Sequence, residues 1–210
     1  MDILKFKQAP VMGILRGIEA DVLEPLLEVV LSSGLKTIEI TMNTKDAPGL
    51  ISQAAGFSKG RLMIGAGTVL DMQSLQAALN AGATFIVMPT LVEEVVAYCV
   101  KQAIPVFPGA LSPQEIYNAW RAGASMVKVF PAKFFGPEYF KEIKGPFNDM
   151  ELLACGGVTP DNMRDYFANG ANAVSFGASV FRKEWLEKKD FKSIASAIGK
   201  YLQNLPQVLQ

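Results

Sequence analysis

The chain has 210 residues, half of them hydrophobic, and carries 20 basic and 20 acidic side chains. This length suits one domain with a large core, so we expect a single domain over residues 1–210. The balanced charge argues against a nucleic-acid partner. The absence of histidine excludes Ser-His-Asp and Cys-His catalysis and the usual histidine-based zinc sites.

No targeting or membrane segment is recognisable. The first ten residues lack the apolar centre of a signal peptide, and no apolar run reaches the roughly 18 residues of a membrane span. The two cysteines, Cys99 and Cys155, form no CxxC motif and are expected to be reduced thiols. We therefore expect a cytoplasmic protein with no membrane partner.

Short apolar strands alternate with amphipathic helical stretches along the chain. The first pair is a strand over 11–17 and a helix over 21–34, with Asp21 predicted as its N-cap and Gly34 as the residue that ends it. The further predicted strands are 36–43, 62–69, 84–90, 104–110, 125–132, 150–157 and 172–179. The further predicted helices are 45–57, 71–82, 92–102, 112–123, 136–145 and 159–170, and a last helical stretch runs to about Leu205.

The alternation of eight strands with helices predicts the fold class. Alternating β and α units form parallel sheets with right-handed crossovers, and eight such units indicate an α/β protein with a closed (β/α)₈ TIM barrel. A doubly wound open sheet is the alternative. Against it, no early GxGxxG follows a strand, and the eighth strand is still followed by a helix.

Three ionisable residues lie in or beside apolar strands. Lys128 stands in the middle of "SMVKVFPAK", Glu39 in the middle of "TIEIT", and Arg16 near the end of the first strand. Taken singly, the lysine could extend its head to solvent, the glutamate could pair with it structurally, and the arginine could form an ordinary salt bridge. Brought together in a closed barrel, the three favour an active site.

A buried lysine beside a carboxylate suits Schiff-base chemistry. At neutral pH only about one free lysine in a thousand is an amine, and burial raises that fraction. The amine can condense with a ketone to an iminium that withdraws electrons from the adjacent carbon–carbon bond, while a carboxylate moves protons. Lys128 and Glu39 fit these two roles, and the chemistry requires no metal or other cofactor.

Glycine-rich turns after the seventh and eighth strands predict a phosphate site. "ACGGVTPDN" contains Gly156 and Gly157, and "SFGAS" contains Gly177 and Ser179. Backbone N–H groups at such turns bind phosphate in many barrels. "IGAGT" adds a close-approach loop with Thr68 as a hydroxyl donor.

In order along the chain, "GILRG", "IEIT", "GAGTV", "VMPT", "VFPG", "VKVFPA", "GPF" and "GGVTPDN" resemble the 2-keto-3-deoxy-6-phosphogluconate (KDPG) and 2-keto-4-hydroxyglutarate (KHG) aldolase family. That family includes the 2-keto-3-deoxy-6-phosphogalactonate aldolases. The resemblance implies a class I aldolase, usually a homotrimer, that cleaves KDPG or a close epimer to pyruvate and D-glyceraldehyde 3-phosphate. Cleavage of 4-hydroxy-2-oxoglutarate to pyruvate and glyoxylate is an implied further activity.

The resemblance also implies a role for each matching residue. Lys128 would form the Schiff base, and Glu39 would be the general acid and base, acting through water. Thr68 and Pro89 would line the pyruvate pocket, and Phe130 would pack beside the imine. The residues implied to bind the phosphate or another anionic group are Arg16, Gly156, Gly157, Gly177 and Ser179.

Two positions depart from the gluconate-type pattern. "TMNT" places Asn43 where gluconate-specific members carry an arginine for the carboxylate, and an asparagine resembles the galactonate-type members. "ACGG" places Cys155 where many members carry a threonine that influences stereochemistry, so Cys155 is expected to touch the substrate without acting as a nucleophile. The natural sugar acid and its C4 configuration stay open.

Two other functions compete with the aldolase. One is a phosphate-binding barrel isomerase or epimerase, in which Lys128 would have no covalent role. The other is a non-catalytic barrel that binds sugar phosphates or assembles with a partner. The fold alone does not separate these functions, whereas a buried pair of Lys128 and Glu39 favours the aldolase.

Overall fold

Every strand in the structure runs parallel to its neighbours. The structure is a computed structural model and describes residues 1–206. Its strands are β1 (Val11–Leu15), β2 (Thr37–Thr41), β3 (Met63–Gly67), β4 (Ile86–Val87), β5 (Val106–Phe107), β6 (Gly109–Ala110), β7 (Val127–Val129), β8 (Leu152–Cys155) and β9 (Ala173–Phe176). Its α-helices are α1 (Ile3–Gln8), α2 (Ala20–Ser32), α3 (Ala47–Ser58), α4 (Met72–Asn80), α5 (Glu93–Lys101), α6 (Pro113–Arg121), α7 (Glu138–Lys144), α8 (Met163–Ala168), α9 (Lys183–Glu187) and α10 (Phe191–Gln203).

The sheet closes through a strand that is divided in two. The strands lie in the order β5-β4-β3-β2-β1-β9-β8-β7-β6. β5 and β6 are the two parts of the strand predicted over 104–110, separated by Pro108, which has no N–H to donate to a neighbouring strand. Because β5 pairs with β4 and β6 pairs with β7, the two ends of the order meet. The predicted (β/α)₈ barrel is confirmed, with its fifth strand in two parts.

Helix ends differ from two of the local predictions. The N-cap of α2 is Glu19, so the prediction of Asp21 as the N-cap is wrong. Asp21 instead lies in the first turn of the helix, where its negative charge interacts favourably with the positive end of the helix dipole. The last helical stretch is not continuous, because Lys189, between α9 and α10, takes a left-handed φ of 52°. Gly34 follows α2 with a φ of 90°, as predicted.

The floor of the barrel lumen, the end that α1 covers, contains the aromatic rings of Phe6, Phe85 and Phe107. Phe6 comes from α1, a helix that the sequence did not predict, and its ring contacts Phe107 edge-to-face with ring centroids 5.9 Å apart. Phe85 contacts Phe107 in the same way at 5.9 Å. All three side chains are buried, so the lumen is sealed at this end.

A second, larger core fills the space between the strands and the surrounding helices. It receives the outward residues of each strand, such as Ile38 and Ile40 of β2, because successive side chains of a strand point to opposite faces. Within residues 1–206, every helix is too short or too polar to cross a bilayer.

Candidate active site

Glu39 projects from the middle of β2 into the lumen, between outward Ile38 and Ile40. It is 1 % exposed, and its Oε2 atom has no hydrogen-bond partner among the described residues. Burial raises the pKa of the Glu39 carboxyl above its ordinary value, and the positive charges of Lys128 and Arg16 offset part of that rise. The carboxyl is therefore suited to exchange protons nearer to neutral pH than an exposed glutamate.

A glycine on the neighbouring strand makes room for this carboxyl. Gly67 ends β3, which pairs with β2, and a Cβ atom placed on Gly67 would collide with Oε1 of Glu39. The "GAGT" motif therefore has a steric function at the site in addition to forming a loop.

Lys128 projects into the same lumen from β7. In register it lies opposite Gly109 of β6 and Leu153 of β8, and its backbone N–H donates to the carbonyl of Pro108 at 2.9 Å. The side chain is 7 % exposed, and its Nζ atom lies 5.4 Å from the ring centroid of Phe130. The predicted residues Lys128 and Phe130 are thus in contact at the mouth of the barrel.

Lys128 and Glu39 share the lumen without a direct ion pair in the described part of the chain. The positive charge of Lys128 nevertheless acts on the carboxyl of Glu39 and on the thiol of Cys155. The alternative of a structural Lys–Glu salt bridge is therefore not what the structure contains. The arrangement leaves both groups available to a substrate.

Cys155 ends β8 inside the lumen, in register with Ser175 of β9. Burial raises the pKa of the Cys155 thiol, while the charge of Lys128 and a hydrogen bond with Ser175 act in the opposite direction. A thiol with a raised pKa is a weak nucleophile. The raised pKa agrees with the expectation that Cys155 is not a nucleophile, and its contact with the substrate stays a prediction.

The glycine-rich turns after β8 and β9 border one cavity of about 330 Å³. Gly156 and Gly157 both take a φ of 88°, a conformation that side-chain-bearing residues rarely adopt. The predicted residues that line this cavity are Arg16, Phe130, Cys155, Gly156, Gly157, Gly177 and Ser179. The structure therefore brings together seven of the residues singled out from the sequence.

Three further predicted residues are not among the residues that line this cavity. Thr68 follows β3 with a left-handed φ of 57°, and its Oγ1 atom accepts a long hydrogen bond from Nη2 of Arg16 at 3.5 Å. Pro89 follows β4, and its carbonyl packs so closely on Gly109 that no side chain would fit there. Asn43 is exposed in the turn after β2 and is not among the cavity's lining residues.

Sequence reasoning missed three polar residues. Ser175 and Thr159 line the cavity, and the hydroxyl of Thr44 accepts a hydrogen bond from the turn that carries Arg16. Ser175 showed the same signal as Glu39, a polar residue inside the apolar strand "NAVSF". Thr159 and Thr44 lie in loops, where polar residues are ordinary.

Comparisons with known proteins point to one family. The family model described as "KDPG and KHG aldolase" matches residues 3–197. The chain is 30 % identical over 193 residues to 2-dehydro-3-deoxy-6-phosphogalactonate aldolase of Escherichia coli (strain K12), an alignment that covers 91 % of this chain and 94 % of the relative. It is 39 % identical over 161 residues to 2-dehydro-3-deoxy-phosphogluconate aldolase of Pseudomonas aeruginosa, with 76 % and 71 % covered.

A solved structure supports the same grouping. The crystal structure of KDPG aldolase from Legionella pneumophila, with pyruvate captured as a covalent carbinolamine intermediate, superimposes with a TM-score of 0.85 at 25 % sequence identity. The match covers 92 % of this chain and 94 % of that one.

Proposed function

Because the chain belongs to the KDPG and KHG aldolase family, we propose that it cleaves a 6-phosphorylated 2-keto-3-deoxy sugar acid to pyruvate and D-glyceraldehyde 3-phosphate. The observation that carries the proposal is the burial of Lys128 in the same lumen as Glu39, beside the cavity that the glycine turns border. An isomerase or a binding protein would have no need for a buried lysine at this point.

The proposed mechanism begins at Lys128. Its Nζ atom attacks the C2 ketone to give a carbinolamine, which loses water to an iminium as Glu39 supplies and removes protons. The C3–C4 bond then breaks, its electron pair moves into an enamine, and the C4 hydroxyl loses its proton as the aldehyde leaves. Protonation of C3 and hydrolysis of the imine release pyruvate and restore the free lysine.

The other residues would bind the two ends of the substrate. Phe130, Thr68 and Pro89 would surround the pyruvate half beside Lys128. The phosphate would be held by N–H groups at Gly156, Gly157 and Gly177, by the Ser179 hydroxyl and by the Arg16 guanidinium. We further propose a homotrimer of one-domain subunits in the cytoplasm.

The galactonate-type acid is a second candidate substrate, because Asn43 stands where gluconate-type members carry an arginine. Cys155 supports neither epimer strongly, since a thiol is a weak hydrogen-bond donor to a substrate hydroxyl. The two acids differ at C4, so assays with both, coupled to the reduction of released pyruvate, would rank them. A tenfold preference in kcat/KM would settle which acid the enzyme favours.

The mechanism is tested by trapping. The protein would be incubated with pyruvate and a hydride reductant, and peptide mass spectrometry would locate the reduced adduct. We expect the adduct on Lys128, its loss in Lys128→Met, and its retention in Lys141→Met, an exposed lysine of α7. Folded wild-type protein that gives no adduct on any lysine would overturn the Schiff-base mechanism.

A further inference from the structure

Two turns at the mouth of the barrel are tied together by a pair of threonine hydroxyls. The Oγ1 atoms of Thr41 and Thr44 lie 3.0 Å apart, and Oγ1 of Thr44 accepts a hydrogen bond from the N–H of Gly17 at 3.0 Å. Thr41 is fully buried and Thr44 is 6 % exposed. The turn after β2 is therefore anchored to the turn after β1 through the hydroxyl of Thr44.

This anchor acts on the backbone next to Arg16. The N–H of Gly17 belongs to the peptide group that joins Arg16 to Gly17, so its hydrogen bond to Thr44 fixes the orientation of that peptide. Gly17 takes a left-handed φ of 65°, a conformation that glycine adopts without a steric cost. The hydrogen bond and the glycine together set the direction in which the Arg16 side chain leaves the backbone.

Arg16 has few other restraints. Its side chain is exposed, and its side-chain hydrogen bond in the described structure is the long contact of 3.5 Å to Thr68. An exposed arginine has many rotamers, and ordering it on a ligand reduces the affinity that its charge could give. A fixed backbone limits the positions that the guanidinium can reach, and Arg16 lines the cavity between the glycine turns.

We propose that Thr44 is a positioning residue for phosphate recognition: through Gly17 it holds Arg16 at the cavity that receives the phosphate group of the aldehyde. The inference rests on the proposed function, and it assigns to Thr44 a role that neither Lys128 nor Glu39 shares. Thr44 touches no substrate in this proposal. Its effect is confined to substrates that carry a phosphate.

The test compares two aldehydes in the direction of synthesis, with pyruvate as the second substrate. Thr44→Val keeps the shape of the side chain and removes its hydroxyl, whereas Thr44→Ser keeps the hydroxyl. For Thr44→Val we expect KM for D-glyceraldehyde 3-phosphate to rise about tenfold, a change of about 1.4 kcal/mol, with kcat within about twofold. The kcat/KM for unphosphorylated D-glyceraldehyde should stay within about twofold, and Thr44→Ser should restore the wild-type values.

Two controls separate positioning from general damage. Thr37→Val makes the same change on the same strand, at a buried hydroxyl with no partner among the described residues, and should leave both aldehydes unaffected. In a double-mutant cycle, Arg16→Ala should weaken phosphate selectivity by itself. Adding Thr44→Val should then weaken it little further, because both residues act through the contact between the Arg16 guanidinium and the phosphate.

Three outcomes decide the inference. An equal loss for both aldehydes in a folded Thr44→Val protein would make the role merely structural and overturn it, as would an unchanged KM for the phosphorylated aldehyde. Full additivity with Arg16→Ala would also overturn it. Pyruvate trapping on Lys128 in the wild-type protein is measured alongside, so that a failure of the aldolase mechanism is recognised separately.

Discussion

The two ends of the barrel lumen have opposite chemistry although the same strands build both. The floor contains the rings of Phe6, Phe85 and Phe107, which exclude water and make edge-to-face contacts. The mouth contains Glu39 and Lys128 within the same closed sheet. The difference is one of position in the lumen: the aromatic rings cluster at one end, whereas Glu39 and Lys128 lie toward the other.

This division has an energetic reason. A charge at the sealed floor would be buried without any partner, at a cost of several kcal/mol. At the mouth, a bound substrate would supply the partner in the proposed mechanism, so Glu39 and Lys128 can be nearly buried and still be compensated during the reaction. Changes at the mouth should therefore alter activity more than stability, and changes at the floor should do the reverse.

The largest expected effect at the mouth is that of Glu39→Gln. Glutamine keeps the size of the side chain and cannot move protons, so kcat/KM should fall by about 10²–10⁴-fold. The melting temperature should be unchanged or higher, because burial raises the pKa of Glu39 and disfavours its ionised form, and the neutral glutamine carries no charge to bury. Activity within tenfold of wild type would remove Glu39 from the mechanism.

The matching experiment at the floor is Phe6→Ala. Removing this ring leaves a cavity under Phe107, and the free energy of unfolding should fall by about 3–5 kcal/mol, as measured by urea denaturation. Leu4→Ala, in the same helix but at a side chain that is 69 % exposed, should change it by less than about 0.5 kcal/mol. Similar values for the two variants would show that α1 does not seal the lumen.

The floor also shows where sequence reasoning reached its limit. The eight repeating strand–helix units predicted the barrel, because the alternation of strand and helix patterns is a local signal. Helix α1 has six residues and buries only Phe6, so it offers no helical periodicity to recognise. The division of the fifth strand at Pro108 depends on which neighbours each half pairs with, and that is a tertiary property.

At the mouth, the strength of the local signal decided what could be predicted. A charge in an apolar strand is unusual, so Glu39 and Lys128 stood out, whereas the hydroxyl of Ser175 in a similar strand did not. Thr44 could not be found from the sequence, because its importance lies in a hydrogen bond to Gly17, 27 positions away. The role of Asn43 in substrate binding stays a prediction, since the structure places it in an exposed turn.

A smaller effect on activity is expected at Gly67, whose lack of a side chain leaves room for the Glu39 carboxyl. Gly67→Ala would place a Cβ atom against the carboxyl of Glu39 and displace it, and kcat should fall by about 10–100-fold because proton transfer depends on geometry. Gly56→Ala is the matched control, at an exposed position inside α3 with open space for a methyl group. It should keep full activity and gain about 0.5–1 kcal/mol of stability. Equal kcat values for the two variants would contradict the steric role of Gly67.

The smallest effect concerns the pH dependence of stability at the mouth. Burial raises the pKa of Glu39 above the ordinary value of 4.5, so between the unfolded and the folded pKa the native state holds a proton that the unfolded state has released. The stability that protonated Glu39 contributes to the folded state is fully present below about pH 4.5, and it is lost as the pH rises through the folded pKa of Glu39.

Melting temperatures of wild type and Glu39→Gln, measured in parallel from about pH 4 to pH 8, isolate this contribution, because the other titrating groups are common to both proteins. The wild type should lose stability relative to the variant as the pH rises, and the loss should level off once Glu39 is ionised in the native state. A difference that is flat with pH would mean that the carboxyl titrates as an exposed glutamate does. A difference that grows in favour of the wild type would mean that Lys128 and Arg16 stabilise the ionised carboxylate more than burial destabilises it. The mouth would then hold a compensated pair of charges, whereas the floor holds none.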